Sequence, residues 1–170
     1  ANRSLFEIVD TETGQVAKQI PVDSGSVLPD WSPNGEELIY AAIEGSQTSI
    51  RLLTLQNGFS SLVIGDSPEN YAPAWSPSGD LIAFQSRMNS DLSEIYIMDP
   101  SGNKLERITN TPPGRWSRAP AWSPDGKWLA FVSDRDESAG ADFGEIYLAS
   151  LVTDETLRLT YTGGKVYDWR

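Results

Sequence analysis

The sequence predicts an all-β fold, a partial β-propeller of four-stranded antiparallel blades with about three complete blades and split blades at both ends. The first observation is a recurring unit in which a strand ends on Trp and a Ser-Pro-x-Gly turn follows. Three copies are complete and the last Trp begins another; the four indoles are 44, 47 and 47 residues apart, at Trp31, Trp75, Trp122 and Trp169. The second observation is that each period contains several strand signals and no sustained helical periodicity. A period in the forties with several strands indicates propeller blades rather than a helical solenoid.

The clearest copy of the unit, residues 119–131, reads as two short strands around a tight turn. Trp122 ends the first strand. In the turn, Pro124 presets φ, Asp125 can accept hydrogen bonds from nearby backbone, and Gly126 can adopt a positive φ. Apolar side chains then alternate with a period of two, as in a strand. The same unit recurs at residues 72–84 and 28–40.

The remaining strands follow in chain order. The chain begins with a hairpin that has no Trp unit before it, with strands predicted at 4–9 and 15–20. Each complete repeat then adds a third and a fourth strand, predicted at 49–55 and 60–64, 94–98 and 105–109, and 145–149 and 156–160. The predicted organisation is one propeller segment over residues 1–170, with a half blade at 1–21, blades at 22–66, 67–110 and 111–162, and the start of another blade at 163–170.

These strands predict an open arc rather than a closed ring, because closed propellers have about four to eight complete blades. An uncovered blade exposes an apolar face and unpaired strand edges, both of which favour association. We therefore expect the chain to be a piece of a larger propeller, or an arc that can self-associate through its open ends.

The composition excludes several classes of function. A net charge of −11 argues against nucleic acid as a partner. No apolar run approaches the length of about 18 residues that a membrane helix needs, so membrane insertion is not expected. The absence of His and Cys removes the usual general base and thiolate chemistry. We expect no catalytic residues and no cofactor.

The repeat resembles a known family. A Pro-Ala-Trp-Ser-Pro-Asp-Gly box, a strand ending in Ala-Phe-x-Ser, a Glu-Ile-Tyr strand and a closing Leu-Thr pair are similar to the TolB-like β-propeller repeat, a relative of WD repeats. Residues 119–160 match closely and residues 72–109 nearly as well. Residues 28–64 match less well, with Tyr40 and Ala41 where Phe and a polar residue are usual. The resemblance implies the fold; it says less about function, because one fold hosts many activities.

The repeated Trp residues are interpreted as packing blade against blade, with a ligand-stacking ring as the alternative. The resemblance also implies Arg at the positions of Arg87 and Arg135, which favours a structural ion pair within or between blades.

The loop at residues 110–118 falls outside the repeat consensus and is a candidate binding site. It joins a fourth strand to the next first strand, so in a propeller it lies on the face where the channel opens. Trp116 belongs to no repeat position and sits between Arg115 and Arg118, and aromatic and Arg side chains are typical of interaction hot spots. The alternative is that Trp116 packs locally under the Pro-Pro corner. The further candidate binding residues are Tyr71, Tyr167 and Asp168.

The acidic loop at residues 134–145 is the second unusual loop. Its carboxylates could hold Ca²⁺ through oxygen ligands, with Asp134, Asp136 and Asp142 as candidates. The spacing does not match an EF-hand, and a solvated loop with an Asp–Arg pair is the preferred interpretation. No metal site is therefore predicted.

The leading functional hypothesis is a non-catalytic scaffold that binds a protein or peptide through loops on the channel face. The alternative is the substrate-gating propeller of a larger hydrolase, such as a prolyl-oligopeptidase-like peptidase, whose catalytic domain is outside this chain. The resemblance implies an extracytoplasmic location, in the periplasm or cell envelope, because propellers of this family act there as scaffolds.

Overall fold

The computed structural model describes residues 4–22, 25–136, 144–163, 165 and 168. Within these residues every regular element is a strand, and none forms a helix long and apolar enough to span a membrane. The strands are β1 (Ser4–Val9), β2 (Val16–Val22), β3 (Val27–Trp31), β4 (Glu37–Glu44), β5 (Gln47–Thr54), β6 (Phe59–Ser67), β7 (Asn70–Trp75), β8 (Ile82–Ser86), β9 (Glu94–Met98), β10 (Glu106–Arg107), β11 (Ser117–Trp122), β12 (Trp128–Ser133), β13 (Glu145–Ser150) and β14 (Thr156–Arg158).

The strands form one hairpin and three blades. β1 pairs with β2, and the three four-stranded antiparallel sheets are β3–β6, β7–β10 and β11–β14, each in chain order. The predicted fold class is confirmed: the chain is all-β, its sheets are four-stranded and antiparallel, and they do not close into a ring. The strand predicted around Trp169 lies outside the described residues.

The Ser-Pro-x-Gly turns join the first two strands of each blade by side-chain hydrogen bonds. The backbone N–H of Trp128 donates to Oγ of Ser123 at 3.0 Å, and that hydroxyl donates to Oδ1 of Asp125 at 2.7 Å. Gly126 has a φ of +70°, which glycine adopts without a steric penalty. The turn after Trp75 repeats the arrangement, since the N–H of Leu81 donates to Oγ of Ser76 at 3.0 Å.

The three indoles with described positions occupy equivalent places in successive blades. Trp31, Trp75 and Trp122 each end the first strand of a sheet and pair in register with Leu38, Ile82 and Leu129 respectively. Apolar clusters fill the spaces between neighbouring blades; one contains Ile95 and Ile97 from the second complete blade and Phe131 and Tyr147 from the third. The blades therefore stack face to face.

In two blades a buried glutamate at the start of the third strand accepts several hydrogen bonds. Glu94 begins β9 and accepts hydrogen bonds from the hydroxyls of Thr109 and Thr111, from the N–H of Thr111 at 3.0 Å and from Arg107. Oγ1 of Thr109 also accepts the N–H of Ile95 at 2.9 Å, so a side chain takes the place of the backbone acceptor for that N–H, while the carbonyl of Ile95 still accepts the N–H of Ile108 at 2.8 Å. This substitution explains why β10 spans two residues, shorter than the strand predicted at 105–109.

The same device recurs in the third complete blade, where Glu145 accepts hydrogen bonds from the hydroxyl of Thr160 and the N–H of Gly163. In the first complete blade the register places Ser49 where the next blade has Glu94. The hydroxyl of Ser49 is buried and has no hydrogen-bond partner among the described residues. Residues 28–64, which match the repeat less well, therefore also lack the buried glutamate of the other two blades.

Candidate functional site

The first strands of the three blades line one open cavity of about 1000 Å³. Its walls come from the proline-containing strands β3, β7 and β11 and from the turns that follow them. This arrangement makes the cavity the channel of the arc.

Each of these inner strands carries a bulge at a residue that precedes proline. Leu28, Ala72 and Ala119 have φ values of 53°, 49° and 51°, and the strand pairing skips register at each of them. A positive φ is uncommon for residues other than glycine and typically marks a constrained backbone. Because all three bulges line the cavity, the wall presents irregular backbone rather than a continuous ladder.

The indoles differ in exposure although their positions are equivalent. Trp75 and Trp122 are 7% and 6% exposed, whereas Trp31 is 42% exposed. Nε1 of Trp122 donates to the carbonyl oxygen of Ala74 in the preceding blade at 3.0 Å. In the described part of the chain no inner strand precedes Trp31, so its face remains open to the cavity. Trp31 therefore offers the channel an aromatic surface that sequence reasoning assigned to blade packing.

The cavity wall is acidic. Among the described residues that line it there are three carboxylates and no Lys or Arg, the carboxylates being those of Asp30, Glu69 and Asp168. Oδ2 of Asp30 accepts the backbone N–H of Trp75 at 2.8 Å, which fixes that side chain between two blades. Leu28, which is 53% exposed, adds an apolar side chain to the same wall.

A polar network borders the cavity between the second and third complete blades. Oε1 of Glu69 accepts hydrogen bonds from Nε2 of Gln85 at 2.8 Å and from the hydroxyl of Ser93 at 2.7 Å. Nε of Arg118 lies 3.7 Å from Oε1 of Glu69. Gln85 also accepts the N–H of Ala119, at 3.0 Å. These groups tie one blade to the next at the channel rim.

The predicted binding residues fall into two groups. Tyr71 and Asp168 line the cavity. Arg115, Trp116 and Arg118 lie on the loop leading into β11. The guanidinium of Arg118 lies over the Trp116 ring, 4.8 Å from its centroid. Tyr167 lies outside the described residues.

Asp134 organises the 110–118 loop from the neighbouring strand. Its Oδ1 accepts the N–H of Trp116 at 2.6 Å, and its Oδ2 lies 3.6 Å from Nη1 of Arg115. The Trp116 ring is half-buried and approaches Gly144 so closely that a Cβ there would lie 2.9 Å from Cη2 of the indole. Trp116 thus packs against Gly144 and Arg118.

Two of the three carboxylates considered as weak metal candidates have protein partners. Asp134 is buried with Arg115, and Asp136 accepts the hydroxyl of Tyr147 at 2.7 Å. Burial and this hydrogen bond to a carboxylate raise the pKa of Tyr147. Asp142 lies outside the described residues. Across residues 4–22, 25–136 and 144–163, no group of three or more acidic side chains is placed to hold a metal ion.

Arg87 and Arg135 are not equivalent, contrary to the expectation from the sequence. The register aligns Ser86 with Ser133, so Arg87 corresponds to Asp134 and Arg135 to Met88. Arg135 lies over the rings of Phe131 and Tyr147, with its guanidinium carbon 5.1 and 5.0 Å from their centroids. Burial lowers the pKa of Arg135 from its ordinary value.

Sequence reasoning missed Trp31, Glu69 and Gln85 as residues of the channel rim. Glu69 and Gln85 fall at positions where the next blade has Trp116 and Val132, so their departure from the repeat was visible in the sequence. The exposure of Trp31 was not visible in the sequence, because it depends on which strand packs against the indole.

Three comparisons relate the chain to known proteins. Residues 5–168 match the family model described as TolB beta propeller domain. The Tol-Pal system protein TolB of Francisella tularensis subsp. mediasiatica is 30% identical over 109 residues, which are 62% of this chain and 25% of that protein. The chain thus spans about a quarter of the length of the curated relatives it matches.

Solved structures show the same architecture. TolB from Acinetobacter baumannii superposes with a TM-score of 0.74 at 29% identity, covering 94% of this chain and 38% of that one. A prolyl endopeptidase structure has a TM-score of 0.62 at 14% identity, covering 93% of this chain and 25% of that one. At that identity the likeness to the peptidase extends to the fold alone.

Proposed function

Because the chain belongs to the TolB beta propeller domain family, we propose that it is a non-catalytic scaffold that binds a protein or peptide partner through its channel face. The Francisella relative is by name a component of the Tol-Pal system, which supports a protein partner. The same relationship supports an extracytoplasmic location, in the periplasm or cell envelope.

The observation that carries the proposal is the open cavity lined by the three inner strands. It combines the exposed indole of Trp31, the ring of Tyr71 and the exposed carboxylate of Asp168 in one concave surface. Concave sites that pair aromatic surface with a few polar groups are typical of ligand binding. The proposed site includes the loop with Arg115, Trp116 and Arg118, because Nε of Arg118 lies 3.7 Å from Oε1 of Glu69 at the channel rim.

The test is capture of envelope proteins on the immobilised chain, compared between variants. We expect the specifically captured protein to be lost with Trp31→Ala and with Tyr71→Ala, because both remove aromatic surface from the cavity. Phe59→Ala is the matched control, since Phe59 is an exposed aromatic on the outer strand β6. Equal capture by all four proteins would contradict binding in the channel.

The loop residues are tested separately. Trp116→Ala and Arg115→Ala are expected to weaken capture if the partner reaches beyond the channel rim. Since both residues are held by Asp134, each variant is first checked for an unchanged thermal unfolding midpoint. Unaffected capture with folded variants would remove this loop from the proposed site.

The alternative function is a propeller that gates a hydrolase domain outside this chain. It is supported by the shared fold with the prolyl endopeptidase. The full-length gene distinguishes the two functions: a downstream Gly-x-Ser-x-Gly elbow favours the peptidase, since this sequence positions a nucleophilic Ser in α/β-hydrolases.

Self-association through the open ends is proposed on the basis of the last blade. Ile146 and Leu148 occupy the positions at which Ile95 and Ile97 pack against the following blade. A sheet face of the same character is therefore available for another blade. Sedimentation velocity tests this, and a monomer that persists at high protein concentration would contradict it.

A further inference from the structure

A second groove, separate from the channel, lies on the loops between strands. It has a volume of about 660 Å³ and is formed by residues 87–92, which join β8 to β9, and residues 110–115, which lead towards β11. It shares no lining residue with the channel cavity. Its charged side chains are Arg87, Arg115 and Asp91, so the lining has an excess of one positive charge in a chain of net charge −11.

Arg115 is held in place at one side of the groove. Its N–H donates to the carbonyl of Pro112 at 3.0 Å, which closes a tight turn, and its Nη1 lies 3.6 Å from Oδ2 of the buried Asp134. A guanidinium has five N–H donors, so one ion pair leaves donors available to a ligand.

Arg87 is the unusual residue at the other side. The equivalent residue of the next blade is Asp134, which accepts the N–H of Trp116. Arg87 cannot accept a hydrogen bond, and the N–H of Glu69, the counterpart of Trp116, donates instead to Oγ of Ser67 at 3.3 Å. The second complete blade thus has a cation where the third has a structural anion.

The Arg87 side chain has no internal counterion in the parts of the chain that the structure describes. Its Nε is buried without a hydrogen-bond partner there, and no carboxylate lies within 4.0 Å of its guanidinium. Arg87 as a whole is half-buried and lines the groove, so its guanidinium charge, which has no counterion among the described residues, favours an external carboxylate. The planar fork of a guanidinium matches the geometry of a carboxylate.

We propose that this groove binds an acidic side chain of a protein partner, with the carboxylate between Arg87 and Arg115. Asn89 and Asn110 line the same groove and supply amide donors. Asp91 lies at the groove as well and disfavours a ligand with dense negative charge. The site therefore accepts an isolated Glu or Asp side chain better than a polyanion. This inference rests in part on the proposed function, because Arg115 also belongs to the loop assigned there to partner binding, but the groove itself shares no lining residue with the channel cavity.

The experiment is an NMR titration of the isotope-labelled chain with a capped Gly-Glu-Gly peptide at about 0.15 M salt, where long-range repulsion is screened. The matched ligand is capped Gly-Gln-Gly. We expect the Glu peptide to shift amide signals of residues 87–92 and 110–115 and the Gln peptide to leave them unchanged. Equal shifts with both peptides, or shifts confined to the channel strands, would overturn the proposal.

Variants assign the contact to Arg87. Arg87→Gln is expected to weaken binding of the Glu peptide about tenfold or more, and Arg87→Lys by less, because lysine keeps the charge but not the planar fork. Lys127→Gln is the control, since it removes one positive charge at an exposed turn outside the groove. The proposal would be overturned if Lys127→Gln weakened binding of the Glu peptide as much as Arg87→Gln does. It would also be overturned if inorganic phosphate bound equally tightly at the same residues.

This test is independent of the channel. Loss of envelope-protein capture with Trp31→Ala concerns the proposed function alone, whereas the peptide titration reads the groove directly. If Arg87→Gln does not fold, Arg87→Lys and the Glu-to-Gln comparison on the unmodified chain still decide the outcome.

Discussion

The backbone N–H of Ala119 donates a hydrogen bond of 3.0 Å to Oε1 of Gln85 in the preceding blade. Ala119 has a φ of 51° at the bulge before Pro120. The bulge removes this N–H from the regular ladder, and the glutamine side chain satisfies it. An inter-blade side chain thus stabilises a constrained backbone conformation at the channel wall.

Replacing Gln85 tests this relationship. We expect Gln85→Leu to lower the free energy of unfolding by about 1–3 kcal/mol, because it leaves the Ala119 N–H without its acceptor and removes the hydrogen bond to Glu69. Urea unfolding followed by tryptophan fluorescence measures the change. Gln47→Leu, at an exposed end of β5, serves as the control and is expected to be within about 0.5 kcal/mol of the parent chain. A Gln85→Leu variant as stable as that control would contradict the role given to Gln85.

Glu94, the buried glutamate at the start of β9, is expected to contribute strongly to stability. Glu94→Gln should lower the free energy of unfolding by about 2–3 kcal/mol, because an amide cannot accept from all four donors and leaves Arg107 without its counterion. Ser49→Ala is the matched comparison, since Ser49 occupies the same position and its hydroxyl has no partner among the described residues. We expect that change to be neutral or slightly stabilising. Equal losses at the two positions would refute the assignment.

Acid should weaken the third complete blade through Glu145. Burial by itself would raise the pKa of Glu145, but hydrogen bonds from Thr160 and Gly163 and the charge of Arg158 hold that pKa below its ordinary value of 4.5. A carboxylate whose pKa is lower in the folded state contributes stability above pH 4.5, and this contribution is lost as the pH falls through the folded value. The urea midpoint should therefore fall on acidification below that pH, and less steeply in Glu145→Gln. Parallel pH profiles for the two proteins would be inconsistent with this prediction.

The indoles should differ in their contribution to stability according to their exposure. Trp122→Ala is expected to cost about 3–5 kcal/mol, because it empties a buried site and removes the hydrogen bond to Ala74. Trp31→Ala is expected to cost less than about 2 kcal/mol, because its ring is partly open to the channel. Urea unfolding of the two variants measures the difference, and similar costs would show that Trp31 is a packing residue like the others.

Much of the fold could be predicted because each copy of the repeat contains the residues that specify its turns and strands. The Ser-Pro-x-Gly turn specifies a hydrogen-bonded hairpin, and the alternation after Trp122 specifies the second strand. The Glu-Ile-Tyr and Leu-Thr segments also repeat, although the sequence did not reveal that Glu94 and Thr109 meet across 15 positions. That contact depends on the pairing of β9 with β10, which is a tertiary property.

The candidate site was less predictable because it depends on positions at which one blade differs in sequence or packing from its neighbours. The sequence indicated Trp116 and its flanking Arg residues, but their attachment to Asp134 required the neighbouring strand. The exposure of Trp31 depends on which strand faces its ring, and the charge difference between Arg87 and Asp134 appears only when the blades are aligned by register. Tyr167 and Trp169 lie outside the described residues, so their roles remain predictions from the repeat.

The most direct test of the stacked-blade arrangement is the indole N–H of Trp122 in an NMR spectrum of the chain. The arrangement predicts slow hydrogen exchange of that proton and nuclear Overhauser effects to Ala74, 48 positions earlier in the sequence. Rapid exchange of the indole proton, with no contact to the preceding blade, would contradict the stacking of indole-anchored sheets around a common cavity.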